Sequence, residues 1–98
     1  MSKTIENKTT AIRLNEDKNA NYADLLVHLV NVPIKEGLTV SEMKRNLRVL
    51  DILEVGKDAE TLEFTKEDFK FLQKLVTNSR WGVSHKDIIE FVEYVEGL

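Results

Sequence analysis

Two histidines, three closely spaced cations and a single tryptophan are the side chains of this sequence with chemistry to offer. Catalysis needs a nucleophile, a base or a bound metal held in a cleft. The chain has no cysteine, which removes thiolate nucleophiles, thiolate metal ligands and disulfides together. His28 lies beside the apolar face of a helical stretch and is expected to be half-buried and structural. His85 opens a later helical stretch, where an imidazolium would meet the positive helix end, so it is expected at the surface. Neither has a histidine or carboxylate four residues further on, as a helical metal site needs. The acidic pairs Glu67–Asp68 and Glu93–Glu96 read as solvated helix faces, since a glycosidase pair must face across a groove. The four glycines form no phosphate-binding loop. No catalytic residue, cofactor or metal is therefore expected, and the chain is read as not an enzyme.

Two other features carry recognition chemistry. Lys44, Arg45 and Arg48 occupy i, i+1 and i+4 of one helical stretch, so Lys44 and Arg48 share a face. They form either a solvated face, diluted by Glu42, Asn46 and Asp51, or a site for an acidic partner. Arg80-Trp81-Gly82 joins two helical stretches. Trp and Arg are the types most enriched at interface hot spots. The alternative for Trp81 is a plug in the seam between those helices, where its ring buries a large apolar area.

The elements that must position these residues follow from capping and periodicity. The chain has 98 residues, 42% of them apolar and 32% charged, with a net charge of −3. That suits one domain with its own core. Residues 1–19 are polar and are expected as an arm, with Thr10, Ile12 and Leu14 alternating as a weak strand signal. No apolar run in them matches a signal peptide, and no run in the chain reaches the ~20 residues of a membrane span. A first helix is predicted from Tyr22 to about Val30. Asn21 would cap it, Asp24 would reach back, and Pro33 would stop it.

A second helix is predicted from Val40 to about Glu54. Its cap is Thr39 with Glu42, its staple Leu38 with Met43, and its inner face Met43, Leu47, Leu50 and Leu53. Thr61–Phe64 reads as a short strand. A third helix is predicted from Lys66 to about Thr77, capped by Thr65 and stapled by Phe64 and Phe69. A fourth runs from His85 to about Glu96, capped by Ser84 with Asp87, and stapled by Val83 and Ile88. The fold expected is mainly α: a compact four-helix domain over residues 20–98, with at most a small two-stranded element pairing Thr10–Leu14 with Thr61–Phe64.

Val27, Val49, Ile52, Phe71 and Ile89 lie off these inner stripes. Such residues could converge into one patch, which marks a contact site when large enough. Phe71 and Ile52 are accordingly read as partner-binding candidates, and self-association is expected. The competing explanation is that the chain's own N-terminal arm or a two-stranded element covers them.

Leu25-Leu26-Val27-His28-Leu29, followed by Gly37-Leu38-Thr39-Val40-Ser41-Glu42-Met43, resembles the first two helices of a helix-turn-helix or winged-helix domain. That family would next show a turn and a recognition helix, whereas Arg45–Glu54 continues one helical pattern. Gly37–Leu53, and Leu75–Val95 around Arg80-Trp81-Gly82-Val83, look like small proteins of tailed bacteriophages. That resemblance implies a role in virion assembly or in disabling host machinery, by protein contact. The reading is a non-enzymatic protein–protein interaction module in the cytoplasm, with a protein partner, no membrane and no nucleic acid. Its candidate contact residues are Arg80, Trp81, Lys44, Arg45, Arg48, Phe71 and Ile52. The alternative is a winged-helix-like nucleic-acid-binding regulator using the three basic residues.

Overall fold

Ile5 is 0% exposed, and its burial explains how the N-terminal third of the chain is built. A computed structural model describes residues 2–32 and 34–98. Strand β1 (Ser2–Glu6) pairs antiparallel with β4 (Thr61–Thr65), in a register that sets Ile5 opposite Leu62 and Lys3 opposite Phe64. Strand β2 (Thr9–Asn15) pairs with β3 (Lys18–Asn21), which runs directly into helix α1 (Tyr22–Val30). Helices α2 (Val40–Val55), α3 (Lys66–Thr77) and α4 (Lys86–Glu96) complete the chain.

The fold is therefore mixed α and β, not a mainly α four-helix domain. About 50% of it is helix and 22% strand, in two separate two-stranded sheets. Ser2–Asn21 forms three strands instead of a polar arm. The expected pairing of Thr10–Leu14 with Thr61–Phe64 is also replaced. Thr61–Thr65 takes Ser2–Glu6 as its neighbour, while β2 folds back on β3. A two-stranded ribbon is marginal by itself, and both ribbons here gain from packing on helices. β1 and β4 lie on α3, β4 also meets α2, and β2 meets α4.

Polar side chains hold these ribbons in place. The Asn7 side chain donates to the carbonyls of Gly56, Lys57 and Ala59, and its Oδ1 accepts from the backbone N–H of Ala23. One residue of the expected arm thus ties the α2–β4 turn to the start of α1. The backbone N–H of Glu6 donates to the Tyr94 hydroxyl at 3.0 Å. Gly56 packs closely where α2 turns toward β4: a Cβ there would come within 2.7 Å of Leu62 Cδ2, so the Leu62 side chain would have to shift to admit one.

The helix starts agree with their caps. Asn21 with Asp24 and Thr39 with Glu42 both form reciprocal capping boxes. Thr65 accepts from the backbone N–H of Asp68. The fourth start moves by one residue. His85, not Ser84, is the N-cap, and its Nδ1 accepts from the Asp87 N–H. The Asp87 carboxylate turns instead to the Ala11 N–H of β2, at 2.7 Å. Val83 is exposed, so no staple closes on Ile88. Pro33, the expected stop of the first helix, lies outside the described residues; α1 ends at Val30 with Asn31 as its C-cap.

Helix α2 presents a different face from the one its leucines suggest. Its buried line is Asn46, Val49 and Leu53, whereas Leu47 is 64% exposed and Met43 is also exposed. The expected stripe 43/47/50/53 and the buried line 46/49/53 both have helical spacing and share Leu53, with Leu50 partly buried between them. Contacts of α2 with α1 and β4 select the second.

Candidate functional site

The Asn46 side chain stands on the buried line of α2, in the i, i+3, i+7 series with Val49 and Leu53, where apolar residues are the rule. It is 9% exposed, and among the described residues its Oδ1 has no hydrogen-bond partner. Beside it, the Arg45 guanidinium lies over the Phe71 ring at 3.8 Å from the centroid. The Arg45 Nε is buried and likewise without a partner among the described residues. A planar guanidinium stacks well on an aromatic face, and the ring's negative face attracts it.

These residues line an open groove of about 750 Å3 between the end of α1, the connector residues Val32, Ile34 and Leu38, α2 and α3. Leu29, Val30, Leu38, Phe71 and Leu75 supply its apolar surface, with the exposed Val32 and Ile34 at its edge. Arg45, Lys70, Lys74 and Arg80 add four cations, against the two carboxylates Glu42 and Glu67. None of the four takes part in an ion pair among the described residues. The groove is thus locally cationic on a chain of net charge −3. The Glu42 carboxyl is held below its ordinary range by hydrogen bonds from the Thr39 backbone and side chain, so it stays ionised there.

The candidate contact residues separate in space. Arg45, Phe71 and Arg80 come together on the groove. Arg48 turns away and forms a two-pronged pair with Asp68, Nε to Oδ2 at 2.9 Å and Nη2 to Oδ1 at 2.6 Å. Lys44 stays exposed. Trp81 is partly buried, edge-on to Phe91 and close to His28 with ring centroids 5.7 Å apart, and its Nε1–H donates to Ser79 Oγ. It therefore fills a seam between α1 and α4, not the expected one between α3 and α4. His28 is exposed, not half-buried. Ile52 packs partly buried on the core and lines a separate shallow depression near Leu62. Of the other off-stripe residues, Val49 is in the core and Val27 packs against it; only Ile89, at 58%, is strongly exposed.

Asp68, expected on a solvated face, is 1% exposed. Carboxylates are almost never this buried unless paired. The hydrogen bonds from Arg48 hold its carboxyl below the ordinary value of 3.8, against the opposing effect of burial. A depressed folded-state value adds stability that is present above the unfolded value and lost as pH falls through the folded one. Asp68→Asn is therefore expected to be less stable than the wild type at neutral pH. The gap should narrow as pH drops below the ordinary carboxylate range. Thermal melts of both proteins followed by circular dichroism down the acid limb read this directly; parallel curves would show that Asp68 does not titrate with folding.

Among the described residues no cluster of three or more His, Asp or Glu side chains is arranged to hold a metal ion, and no helix is long and apolar enough to cross a membrane. Helix α2 is continuous from Val40 to Val55, so the helix-turn-helix resemblance ends with its second helix. No protein-family model, curated protein or solved structure matches the chain.

Proposed function

We propose that this chain is a non-enzymatic protein–protein interaction module whose contact surface is the groove between α1, α2 and α3. The observation that carries the reading is the groove's composition. An apolar floor built on Phe71 and Leu75 is bordered by Arg45, Lys70, Lys74 and Arg80, the apolar-centre, charged-rim arrangement of recognition surfaces. The partner segment it suits is acidic with large apolar side chains. On the resemblance to small tailed-phage proteins, that partner is a virion component or a host protein. The nucleic-acid alternative is not favoured, because Arg48, one of the three basic residues that it needs, is engaged by Asp68.

The test is fluorescence anisotropy with short blocked peptides in which Glu alternates with Leu or Phe, against charge-reversed peptides with Lys in place of Glu. Wild-type protein is expected to bind the acidic set, more weakly as salt is raised. Phe71→Glu is expected to weaken binding about tenfold or more, since it puts a carboxylate on the floor of a cationic groove. Equal binding of both peptide sets would remove the reading.

A further inference from the structure

We infer that Asn46 reads the main chain of the bound segment, its side-chain amide pairing with a backbone amide of an extended partner peptide in the groove. The inference rests on the groove being a protein-binding surface and names how it recognises its ligand. Oδ1 of Asn46 is an acceptor, buried and unpartnered among the described residues, on a residue 9% exposed that lines the groove. A buried polar atom left without a partner is destabilising, and native structures hold few of them. A buried acceptor on a residue that lines a ligand-sized groove is satisfied when the side-chain amide turns toward a ligand that supplies the donor.

The chemistry of that donor narrows the ligand. The cations Arg45, Lys70, Lys74 and Arg80 call for negative charge, and Phe71 with its neighbours calls for an apolar side chain. A fatty carboxylate or a doubly ionised phosphate ester meets both demands, yet its charged group has no hydrogen to give Oδ1. A peptide meets all three. Its backbone N–H donates to Oδ1, its backbone C=O can accept from Nδ2, and its acidic and apolar side chains reach the cations and the floor. The side-chain amide of asparagine has the same donor and acceptor groups as a peptide unit, so the pairing is two-sided and indifferent to the partner's side chain at that point.

Asn46→Leu and Asn46→Ala separate this from a structural role. Both remove the unpartnered Oδ1, and leucine restores apolar volume at a buried site. The Leu variant is expected to melt at or above the wild-type temperature while binding the best Glu/Leu/Phe peptide about tenfold more weakly. The Ala variant should lose the same affinity, which excludes added bulk as the cause. N-methylating the peptide's backbone amides one at a time should reproduce the loss at a single position in the wild type and have no further effect in Asn46→Leu. Wild-type affinity in both variants would overturn the Asn46 assignment and leave the groove reading intact. A Leu variant that melts well below the wild type would also overturn it, by showing that Oδ1 is satisfied in the free protein. Wild-type protein that binds none of the acidic peptides would remove both.

Discussion

Shortening Ile5 to alanine is expected to lower the unfolding free energy by about 2–5 kcal/mol, the usual cost of emptying a fully buried Ile or Leu site. That is a large share of a small domain's total of roughly 5–15 kcal/mol. The side chain is 0% exposed and sits opposite Leu62 in the β1–β4 ribbon, with Phe64 also buried on that strand. Its loss removes apolar contact and loosens the ribbon that joins Ser2–Glu6 to Thr61–Thr65. The neighbouring exposed residue Thr4, changed to alanine, should stay within about 0.5 kcal/mol of wild type. Urea denaturation of both variants checks this, with the slope of each transition showing that the denatured state is unchanged. An Ile5→Ala protein as stable as wild type would mean that Ser2–Glu6 is a loose arm after all.

Phe91→Ala is expected to be at least as damaging, at about 3–5 kcal/mol. Phe91 is fully buried. Its ring lies edge-on to Tyr22 at 4.9 Å between centroids and edge-on to Trp81 at 6.4 Å. One side chain of α4 thereby binds the start of α1 to the connector before α4, and aromatic pairs in this geometry add to the energy of burial. Ile89, two residues earlier and 58% exposed, is the control, and its alanine variant should be near neutral. Trp81 is the only tryptophan, so its fluorescence should shift to the red in folded Phe91→Ala as water reaches the seam. Equal losses at positions 89 and 91 would show that α4 packs on a different face.

Both predictions depend on where an element packs, and that is where sequence and structure part company. The helix starts were legible because a cap acts within one turn. Asn21 with Asp24, and Thr39 with Glu42, meet across three residues whatever the rest of the chain does. The fourth start slipped by one residue because Ser84 and His85 can both accept from the first turn, and Asp87 was drawn away by the N–H of Ala11, 76 residues distant in sequence.

The β1–β4 ribbon was not legible. Ser2–Glu6 has one large apolar residue in five, so alternation gave no signal, and its register is set by a strand nearly sixty residues away. Asn7 gave still less warning, since a solvated asparagine and one that donates to three carbonyls look alike in a sequence.

The candidate site divides the same way. Arg45, Phe71 and Arg80 could be singled out by residue type, and only the tertiary structure gathered them on one groove while sending Arg48 to Asp68. By sequence, Asn46 reads as a residue diluting a basic patch. The signal that finds it is its place three and seven residues before Val49 and Leu53. That line becomes visible as the buried one only once α2 is set against α1 and β4. The sequence by itself determined where helices begin, because capping is local chemistry. The tertiary structure decided which faces are buried, which strands pair and which polar atoms are left without partners, because those depend on residues that meet only when the chain is folded.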